Sequence, residues 1–315
     1  MQLAVLADIH GNLPALEAVL ADVKQRTVDG MIIAGDFLDR PQPLEAVRVV
    51  QALDACVIRG NRENYVLAYH RLHAPDHWHT SRQWVGLRWL HECLDREALD
   101  YIASLPEEAV YAAESTAPIR IVHASPGSMT DPILPSLDPD AMALHRQAGL
   151  LDLRRRKIGI HEALALFDEP VLICAHSHIS WKQELDGRLI VNPGSVGIPI
   201  NDDTRAQYAV LTWQGGRWQA EHQAIEYDRD RISAAYQESG ILEIEGAFAL
   251  AQLRAIETGQ NVPRWLLSHC RSQATQAGFA ESEAIPDEIW DQASATFDWH
   301  AAAVGDQQAC SGDSR

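Results

Sequence analysis

Positive charge is scarce in this sequence. Only 26 lysine and arginine residues stand against 44 aspartate and glutamate residues, and the formal net charge is −18. Non-specific binding to nucleic acid depends on a basic face that neutralises phosphates, so we expect no nucleic-acid partner. A small anionic substrate stays compatible with this charge, because a bound metal ion can reverse the local field.

Cysteine and long apolar runs are also scarce. The five cysteines are scattered and form no Cys-x-x-Cys pair, which argues against a disulfide framework or a cysteine–zinc site and favours a reducing compartment. The apolar run at residues 3–7 has no basic segment before it and makes a poor signal peptide. No run is long enough to cross a bilayer. We therefore expect a cytoplasmic protein without a membrane partner.

Five short apolar runs each end in polar residues that can take part in chemistry. They are residues 3–7, 31–34, 56–58, 119–122 and 171–175. Their mostly continuous apolar character is typical of strands buried on both faces. Helical patterns at 13–26 and 43–53 separate the first three runs, which predicts a parallel sheet with crossover helices. Ligands of such sheets bind at the carboxyl ends of the strands.

The side chains at these strand ends form the candidate site. They are carboxylate and amide oxygens and imidazoles: Asp8, His10, Asp36, Asn61, His123, His176 and His178. Such a set suits divalent manganese, iron, nickel, cobalt, zinc or magnesium better than copper(I) or an iron–sulfur cluster. Seven ligands are too many for one ion, and they suit two ions if Asp36 bridges them.

A charge count predicts phosphate chemistry for such a pair. Two divalent ions, less the charges of Asp8, Asp36 and a bridging hydroxide, leave a centre of roughly +1 that attracts phosphate. Metal binding lowers the pKa of water from about 15.7 to about 7, so a bridging hydroxide is the predicted nucleophile. We also expect the backbone amides of Gly60 and Asn61, at a predicted helix start, to act as anion donors.

These motifs resemble those of the calcineurin-like metallophosphoesterases. The matching motifs follow one another over residues 1–197: Asp8-x-His10, Gly35-Asp36, Gly60-Asn61, His123 and His176-x-His178. The resemblance implies an α/β fold, a four-layer α/β/β/α sandwich. It also implies two metal sites with a shared aspartate. Their ligands are Asp8, His10, Asp36 and His178 for one ion, and Asp36, Asn61, His123 and His176 for the other. We expect manganese, with iron, nickel, cobalt, zinc and magnesium as alternatives.

A later segment narrows the resemblance. Residues 192–197 (Asn-Pro-Gly-Ser-Val-Gly), followed by Asp203-x-Arg205, are similar to the bacterial and archaeal small-phosphodiesterase branch. We expect residues 192–197 to form a pocket wall and Arg205 to bind substrate. The predicted function is therefore hydrolysis of a small phosphodiester or nucleotide.

Arg62 stands where many relatives carry a histidine after Gly-Asn. Arginine stays charged near pH 7, so it is a poor proton donor, but it can clamp phosphate oxygens with two hydrogen bonds. We predict that Arg62 orients the phosphate and that the substrate has a leaving group that needs little help.

The run from Gly35 to Pro41 resembles protein phosphatases and dinucleoside tetraphosphatases, in which glycine is usual in place of Pro41. Arg40 in this run fits two roles, contact with substrate phosphate or pairing with a nearby acid. The alternative function is accordingly a dinucleoside polyphosphatase or a serine/threonine protein phosphatase-like phosphomonoesterase. The non-enzyme alternative is a metal-binding scaffold protein.

The remaining pattern predicts how the chain is divided. Residues 1–227 form the predicted metallophosphoesterase domain, with a helical cap inserted at 64–105 that looks helical from about Ser81. Residues 228–303 are a predicted helical extension, and 304–315 a predicted disordered tail.

Two further features fall inside these divisions. Hairpins that turn at Asp186-Gly187 and Gly215-Gly216 predict a second sheet that faces the first. Four histidines of the cap fit packed or partly exposed positions better than a further metal site: His70, His73, His77 and His79.

Overall fold

Two five-stranded sheets carry the fold in the computed structural model, which describes residues 1–151, 156–280 and 284–304. The strands are β1 (Gln2–Leu6), β2 (Gly30–Ala34), β3 (Cys56–Ile58), β4 (Glu108–Tyr111), β5 (Ile119–Val122), β6 (Ile133–Leu134), β7 (Ile158–Gly159), β8 (Val171–Ile173), β9 (Trp181–Leu185), β10 (Arg188–Asn192), β11 (Ala206–Gln214) and β12 (Arg217–Ile225).

Helices connect and cover the sheets. They are α1 (Leu13–Arg26), α2 (Pro43–Ala52), α3 (Asn61–His70), α4 (Asp76–Thr80), α5 (Val85–Cys93), α6 (Arg96–Ser104), α7 (Pro139–Gln147), α8 (Ile160–Leu164), α9 (Arg229–Glu238), α10 (Ile241–Glu245), α11 (Ala247–Thr258), α12 (Val262–Gln276), α13 (Asp287–Thr296) and α14 (Trp299–Ala303), with a 3₁₀ turn at Arg82–Trp84.

The strand order is β12-β11-β1-β2-β3 in the first sheet and β4-β5-β8-β10-β9 in the second. Strands β1, β2 and β3 are parallel, as are β5, β8 and β10. One prediction is wrong here. Only the β9–β10 hairpin joins the second sheet, whereas β11 pairs antiparallel with β1 and extends the first. A hairpin pattern specifies its own two strands but not the strand beside them, and so it does not specify the sheet.

Alternation along the strands produces the layers. Leu3 and Val5 of β1 point between the sheets, into the same core cluster as Ile121 of the second sheet. Leu6, which points to the other face, packs in the outer core with Leu16 of α1. A separate cluster covers the outer face of the second sheet, beneath α8. The predicted four-layer α/β/β/α sandwich is confirmed.

Helix α1 fixes the loop that follows β1. The Asn12 side-chain oxygen accepts a hydrogen bond from the N–H of Ala15 (3.2 Å), which satisfies one of the free amides of the first turn. The Asn12 amide nitrogen donates to the carbonyl of Gly197 (2.9 Å). The loop at residues 7–12 is therefore held from both sides.

The segment predicted as a cap is helical over most of its length. Helix α3 already begins at Asn61, well before the expected start near Ser81. Trp78 stacks on Trp84 with ring centroids 4.1 Å apart, and Tyr65 meets both edge-on. These aromatic rings are the interior that short helices need, since a helix of this length gains little from its own hydrogen bonds.

Helices α9 to α14 occupy the C-terminal part of the described chain. Trp265 of α12 and Trp290 of α13 are buried in a core cluster of their own. Most of the predicted tail, residues 305–315, lies outside the described residues. Within the described part of the chain, no helix combines the length and apolar character needed to cross a membrane.

Candidate metal centre

The seven predicted ligands meet at the carboxyl ends of strands from both sheets. Asp8 and His10 follow β1, Asp36 follows β2 and Asn61 follows β3, all in the first sheet. The other three come from the second sheet: His123 after β5, and His176 and His178 after β8. The facing sheets therefore form one site between them.

One group consists of Asp8, His10 and His178. The two Nε2 atoms of His10 and His178 lie 3.0 Å apart, and Asp8 Oδ1 lies 3.8 Å and 3.5 Å from them. Asp8 is fully buried, yet its Oδ1 has no hydrogen-bond partner among the described residues. A buried carboxylate oxygen without a donor costs free energy, and a cation with nitrogen and oxygen ligands would satisfy it. The donor set fits a divalent ion.

The second group consists of Asp36, His123 and His176. His123 Nε2 lies 3.5 Å from Asp36 Oδ2 and 3.1 Å from Asn61 Oδ1, so the predicted amide ligand belongs to this group. Asp36 Oδ2 also lies 3.7 Å from His10 Nε2 in the first group. One carboxylate oxygen thus faces both groups.

Second contacts fix the imidazole rings. Nδ1 of His123 donates to the carbonyl of Ala34 (2.9 Å), and Nδ1 of His178 donates to the carbonyl of Ile198 (2.7 Å). Nδ1 of His10 lies 3.4 Å from a carboxylate oxygen of Asp39. A partner on Nδ1 sets the tautomer and leaves Nε2 free as the ligand atom. All three rings are therefore oriented by contacts within the protein.

The backbone at the site is strained. Five of the seven predicted ligands have left-handed φ angles between 48° and 67°: Asp8, His10, Asp36, His176 and His178. Residues other than glycine rarely adopt this region, which costs of order 1–3 kcal/mol each and is concentrated at functional sites. These backbone conformations direct side chains from neighbouring loops toward one point.

Burial and charge set the protonation of the group. Burial raises the pKa of Asp8 to about 7. Burial acts in the same direction on Asp36, but the imidazoles of His123 and His10 outweigh it and hold that pKa below its usual range. Against the lowering effect of burial, Asp36 raises the pKa of His123 to about 10. Burial lowers the pKa of His178, which favours the neutral form that binds metals. Burial thus disfavours the charged form of Asp8 and Asp36, and positive charge beside them favours it.

A family model of the calcineurin-like phosphoesterase superfamily domain matches residues 1–216. The chain belongs to this superfamily. An uncharacterised protein of Methanocaldococcus jannaschii is 25% identical over 248 residues, which cover 75% of this chain and 90% of that relative.

Solved structures share the fold of this chain. A metallophosphoesterase from Sphaerobacter thermophilus superposes with a TM-score of 0.59 at 24% identity, over 82% of this chain and 99% of the other. A hypothetical protein from Pyrococcus horikoshii superposes with a TM-score of 0.59 at 22% identity, over 82% of this chain and 98% of the other. The protein is thus a metallophosphoesterase, a hydrolase of phosphoric esters.

Asp39 connects the phosphoesterase centre to two arginines. Beside its contact with His10, Asp39 forms ion pairs with Arg62 (3.0 Å) and with Arg40 (3.0 Å). Arg62 keeps 16% of its side chain exposed, at the edge of the centre, and its backbone N–H donates to Asp36 Oδ1 (2.7 Å). Arg62 is therefore held in place by Asp39 through Nε (3.0 Å) and Nη2 (3.1 Å), with part of its side chain exposed.

Arg40 lies elsewhere than its predicted substrate-binding role requires. Its guanidinium is buried, with ion pairs to Asp39 and Glu245 (2.8 Å) and a hydrogen bond to Gln252 (2.6 Å). Gly86 leaves the room for this cluster, since a Cβ there would lie 1.9 Å from Glu245 Oε1. Of the two roles considered for Arg40, the structure corresponds to pairing with acids.

The segment at residues 192–197 supports the centre from behind. Ser195 Oγ donates to the carbonyl of Asp8 (2.7 Å), and the N–H of Gly197 donates to the same carbonyl (3.0 Å). The structure does not bring Arg205 to these ligands. Its exposed guanidinium pairs with Asp203, two residues away.

Glu63 is a supporting residue that no motif in the sequence indicated. It is fully buried, and its carboxylate accepts hydrogen bonds from the N–H groups of Asp36 (2.8 Å), Leu38 (3.1 Å) and Gly60 (2.7 Å). The amide of Gly60 is therefore not the anion donor we expected. Burial raises the pKa of Glu63 to about 7. Its position in the first turn of α3 was the one available signal, since an acid there often caps a helix.

Glu63→Gln is expected to lower the free energy of unfolding by about 1–3 kcal/mol, because the amide nitrogen cannot accept a bond from a buried N–H. Urea denaturation of the metal-free protein measures this. Glu97→Gln, on the exposed side of α6, is the matched control and should change the value by less than about 0.5 kcal/mol. Equal midpoints for the two variants would remove Glu63 from this role.

The cap histidines form no third centre. His70 Nδ1 lies 3.0 Å from His91 Nε2, and His79 stacks on Tyr69. Across the described residues, the two groups above are the only clusters of three or more histidine, cysteine or acidic side chains close enough to share an ion.

Proposed function

We propose that this protein is a dinuclear metal-dependent phosphodiesterase that hydrolyses small phosphodiesters or nucleotides. The observation that carries the proposal is the position of Asp36 Oδ2, 3.7 Å from His10 Nε2 in one group and 3.5 Å from His123 Nε2 in the other. A single carboxylate so placed is suited to join two ions. Manganese is the proposed metal, because the ligands are oxygens and imidazoles.

The side chains have distinct proposed roles. Divalent ions, when bound, lower the pKa of water so that hydroxide is present at neutral pH, and they offset the charge of the phosphate. Asp36 holds the two ligand groups together, and Asp39 fixes His10 and Arg62. Arg62 orients the phosphate through its guanidinium. We propose a small phosphorylated molecule in the cytoplasm as substrate, rather than nucleic acid, because the net charge is −18.

The direct test combines elemental analysis with a substrate panel. Protein loaded with manganese should hold about two ions per chain and should hydrolyse bis-p-nitrophenyl phosphate faster than p-nitrophenyl phosphate. Diadenosine tetraphosphate and a phosphopeptide complete the panel. Faster turnover of either of these two would favour the alternative phosphatase function. Two bound ions without hydrolysis of any phosphoester would favour a metal-binding scaffold.

Arg62→Ala is expected to raise the KM for bis-p-nitrophenyl phosphate by about tenfold with a smaller change in kcat, because the guanidinium contributes mainly to binding the phosphate. Steady-state kinetics at saturating manganese measures this. Arg62→Lys is the matched variant: it keeps the charge but not the paired hydrogen bonds, and should recover part of the loss. An unchanged KM in Arg62→Ala would remove Arg62 from the substrate site.

A further inference from the structure

A cavity of about 330 Å³ opens directly beside the metal ligands. One wall is formed by His10, His176 and His178. Another part of the lining comes from residues of α11 and α12, which follow the family match at residues 1–216. The C-terminal helices therefore contribute to the same space as the catalytic centre.

The rest of the lining is largely apolar. Away from the imidazoles, the cavity is bounded by Leu150, Ile198, Ile200, Pro263 and Leu267. Its polar members in the C-terminal part of the described chain are Gln252 of α11, Asn261 directly before α12, and Arg264 of α12. Apolar walls with a few polar groups are typical of small-molecule sites, and a cavity of this volume can hold an aromatic ring system. A phosphate group is charged and gains no binding energy from the apolar part of the cavity.

The start of α12 is held firmly in this position. Asn261 Oδ1 accepts from the N–H of Arg264 (3.3 Å), while its amide nitrogen donates to the carbonyl of Ala148 (3.0 Å). The N–H of Asp202 donates to the carbonyl of Gly259 (3.1 Å). Gly259 has a φ of +70°, and a Cβ there would lie 3.0 Å from the Asp202 backbone. The loop carrying Ile198 and Ile200 is thus joined to the beginning of α12, and the cavity is preformed.

A second contact ties the C-terminal wall to the centre. Gln252 lines the cavity, and its side-chain oxygen accepts a hydrogen bond from Arg40 (2.6 Å). Arg40 pairs with Asp39, which lies 3.4 Å from His10. The distance between the apolar wall and the metal ligands is therefore fixed by a buried chain of polar contacts.

We propose that the C-terminal helices select phosphoesters with a bulky, largely apolar ester group, of the size of an aromatic ring. This group contacts the apolar lining formed by Ile198, Ile200, Pro263 and Leu267, while the phosphate lies at the metal ligands. The inference rests on the proposed function, and it names the class of substrate that this function takes.

Binding of stable phosphonates tests the inference without turnover, since their phosphorus–carbon bond is not an ester. In the manganese-loaded full chain, phenylphosphonate should bind at least about tenfold more tightly than methylphosphonate, because its ring is removed from water. Leu267→Trp should fill the cavity and reduce this ratio to about one or two, with methylphosphonate affinity unchanged. Isothermal titration calorimetry measures both constants.

Two further variants guard against a simple folding defect. Leu267→Gln keeps the side-chain length and should lower the ratio several-fold by making the wall polar. Gln273→Trp adds the same ring to an exposed position of α12 and should retain the wild-type ratio. A wild-type ratio near one, or equal ratios for Leu267→Trp, Leu267→Gln and Gln273→Trp, would overturn the inference.

Hydrolysis of bis-p-nitrophenyl phosphate by the same preparations separates the two proposals. If wild-type protein hydrolyses this ester but does not distinguish the phosphonates, the phosphodiesterase proposal is supported and the proposed role of the cavity is rejected. If the protein prefers phenylphosphonate but hydrolyses no phosphoester, the proposed role of the cavity is supported and the proposed phosphodiesterase function is rejected.

Discussion

Asp36→Ala is expected to lower kcat/KM for bis-p-nitrophenyl phosphate by at least about a thousandfold, since metal catalysis is worth several kcal/mol of barrier height. Asp36 Oδ2 faces both ligand groups, at 3.7 Å from His10 Nε2 and 3.5 Å from His123 Nε2. Removing this carboxylate should therefore weaken both ions together. Inductively coupled plasma mass spectrometry after gel filtration should show less than half of the wild-type manganese.

The outcome that contradicts this expectation is full metal occupancy in Asp36→Ala. Occupancy lowered by half would mean that Asp36 serves one ion only. Asp100→Ala, which removes an exposed carboxylate on α6, is the control and should keep both the activity and the metal content of the wild type.

Asp39→Ala is expected to have the largest effect on stability, about 3–5 kcal/mol, because it removes the carboxylate that pairs with Arg62 and leaves the buried Arg40 with one carboxylate, Glu245, instead of two. Asp39 is 1% exposed and pairs with both Arg40 and Arg62. Urea denaturation at pH 7 with a chelator present measures the effect without a contribution from metal binding. Asp203→Ala breaks an exposed pair with Arg205 and should cost only about 0–1 kcal/mol.

The same pairs predict a pH dependence. Burial opposes the charged form of Asp39, but Arg40, Arg62 and His10 outweigh it, and its pKa in the folded protein lies far below the usual range. A carboxyl with a lowered folded pKa stabilises the fold above its unfolded pKa of about 4, and this contribution is lost as pH falls. The difference in unfolding free energy between wild type and Asp39→Ala should therefore shrink below about pH 4. A difference that stays constant between pH 7 and pH 3 would contradict the ionic explanation.

The grouping of the seven predicted ligands could be predicted from sequence because it depends on local rules. Each ligand follows a short apolar run, and parallel strands place their carboxyl ends at one edge. The sheet that each run joins was less accessible. The β11–β12 hairpin extends the first sheet because β11 pairs with β1. No local pattern in residues 206–225 predicts that pairing.

The supporting residues were harder to predict than the ligands. Glu245 reaches Arg40 across 205 positions of sequence, and only the folded chain brings them together. The same holds for Leu267, whose helical spacing indicates packing but not its place in the cavity that His10 also lines. Arg40 and Arg205 show a related difficulty. The sequence near each arginine contains several acids, and only the folded structure shows which acid the arginine pairs with.

The division of ligands between the sheets has a consequence for biosynthesis. Each group combines side chains from residues 8–36 with at least one histidine from 176–178. Because chains emerge from the ribosome in N-to-C order, neither group can be complete before the second sheet's central strand has left the exit tunnel. A prematurely ended product that stops short of His176 carries only two of the three side chains of each group, and so both candidate sites stay incomplete in it.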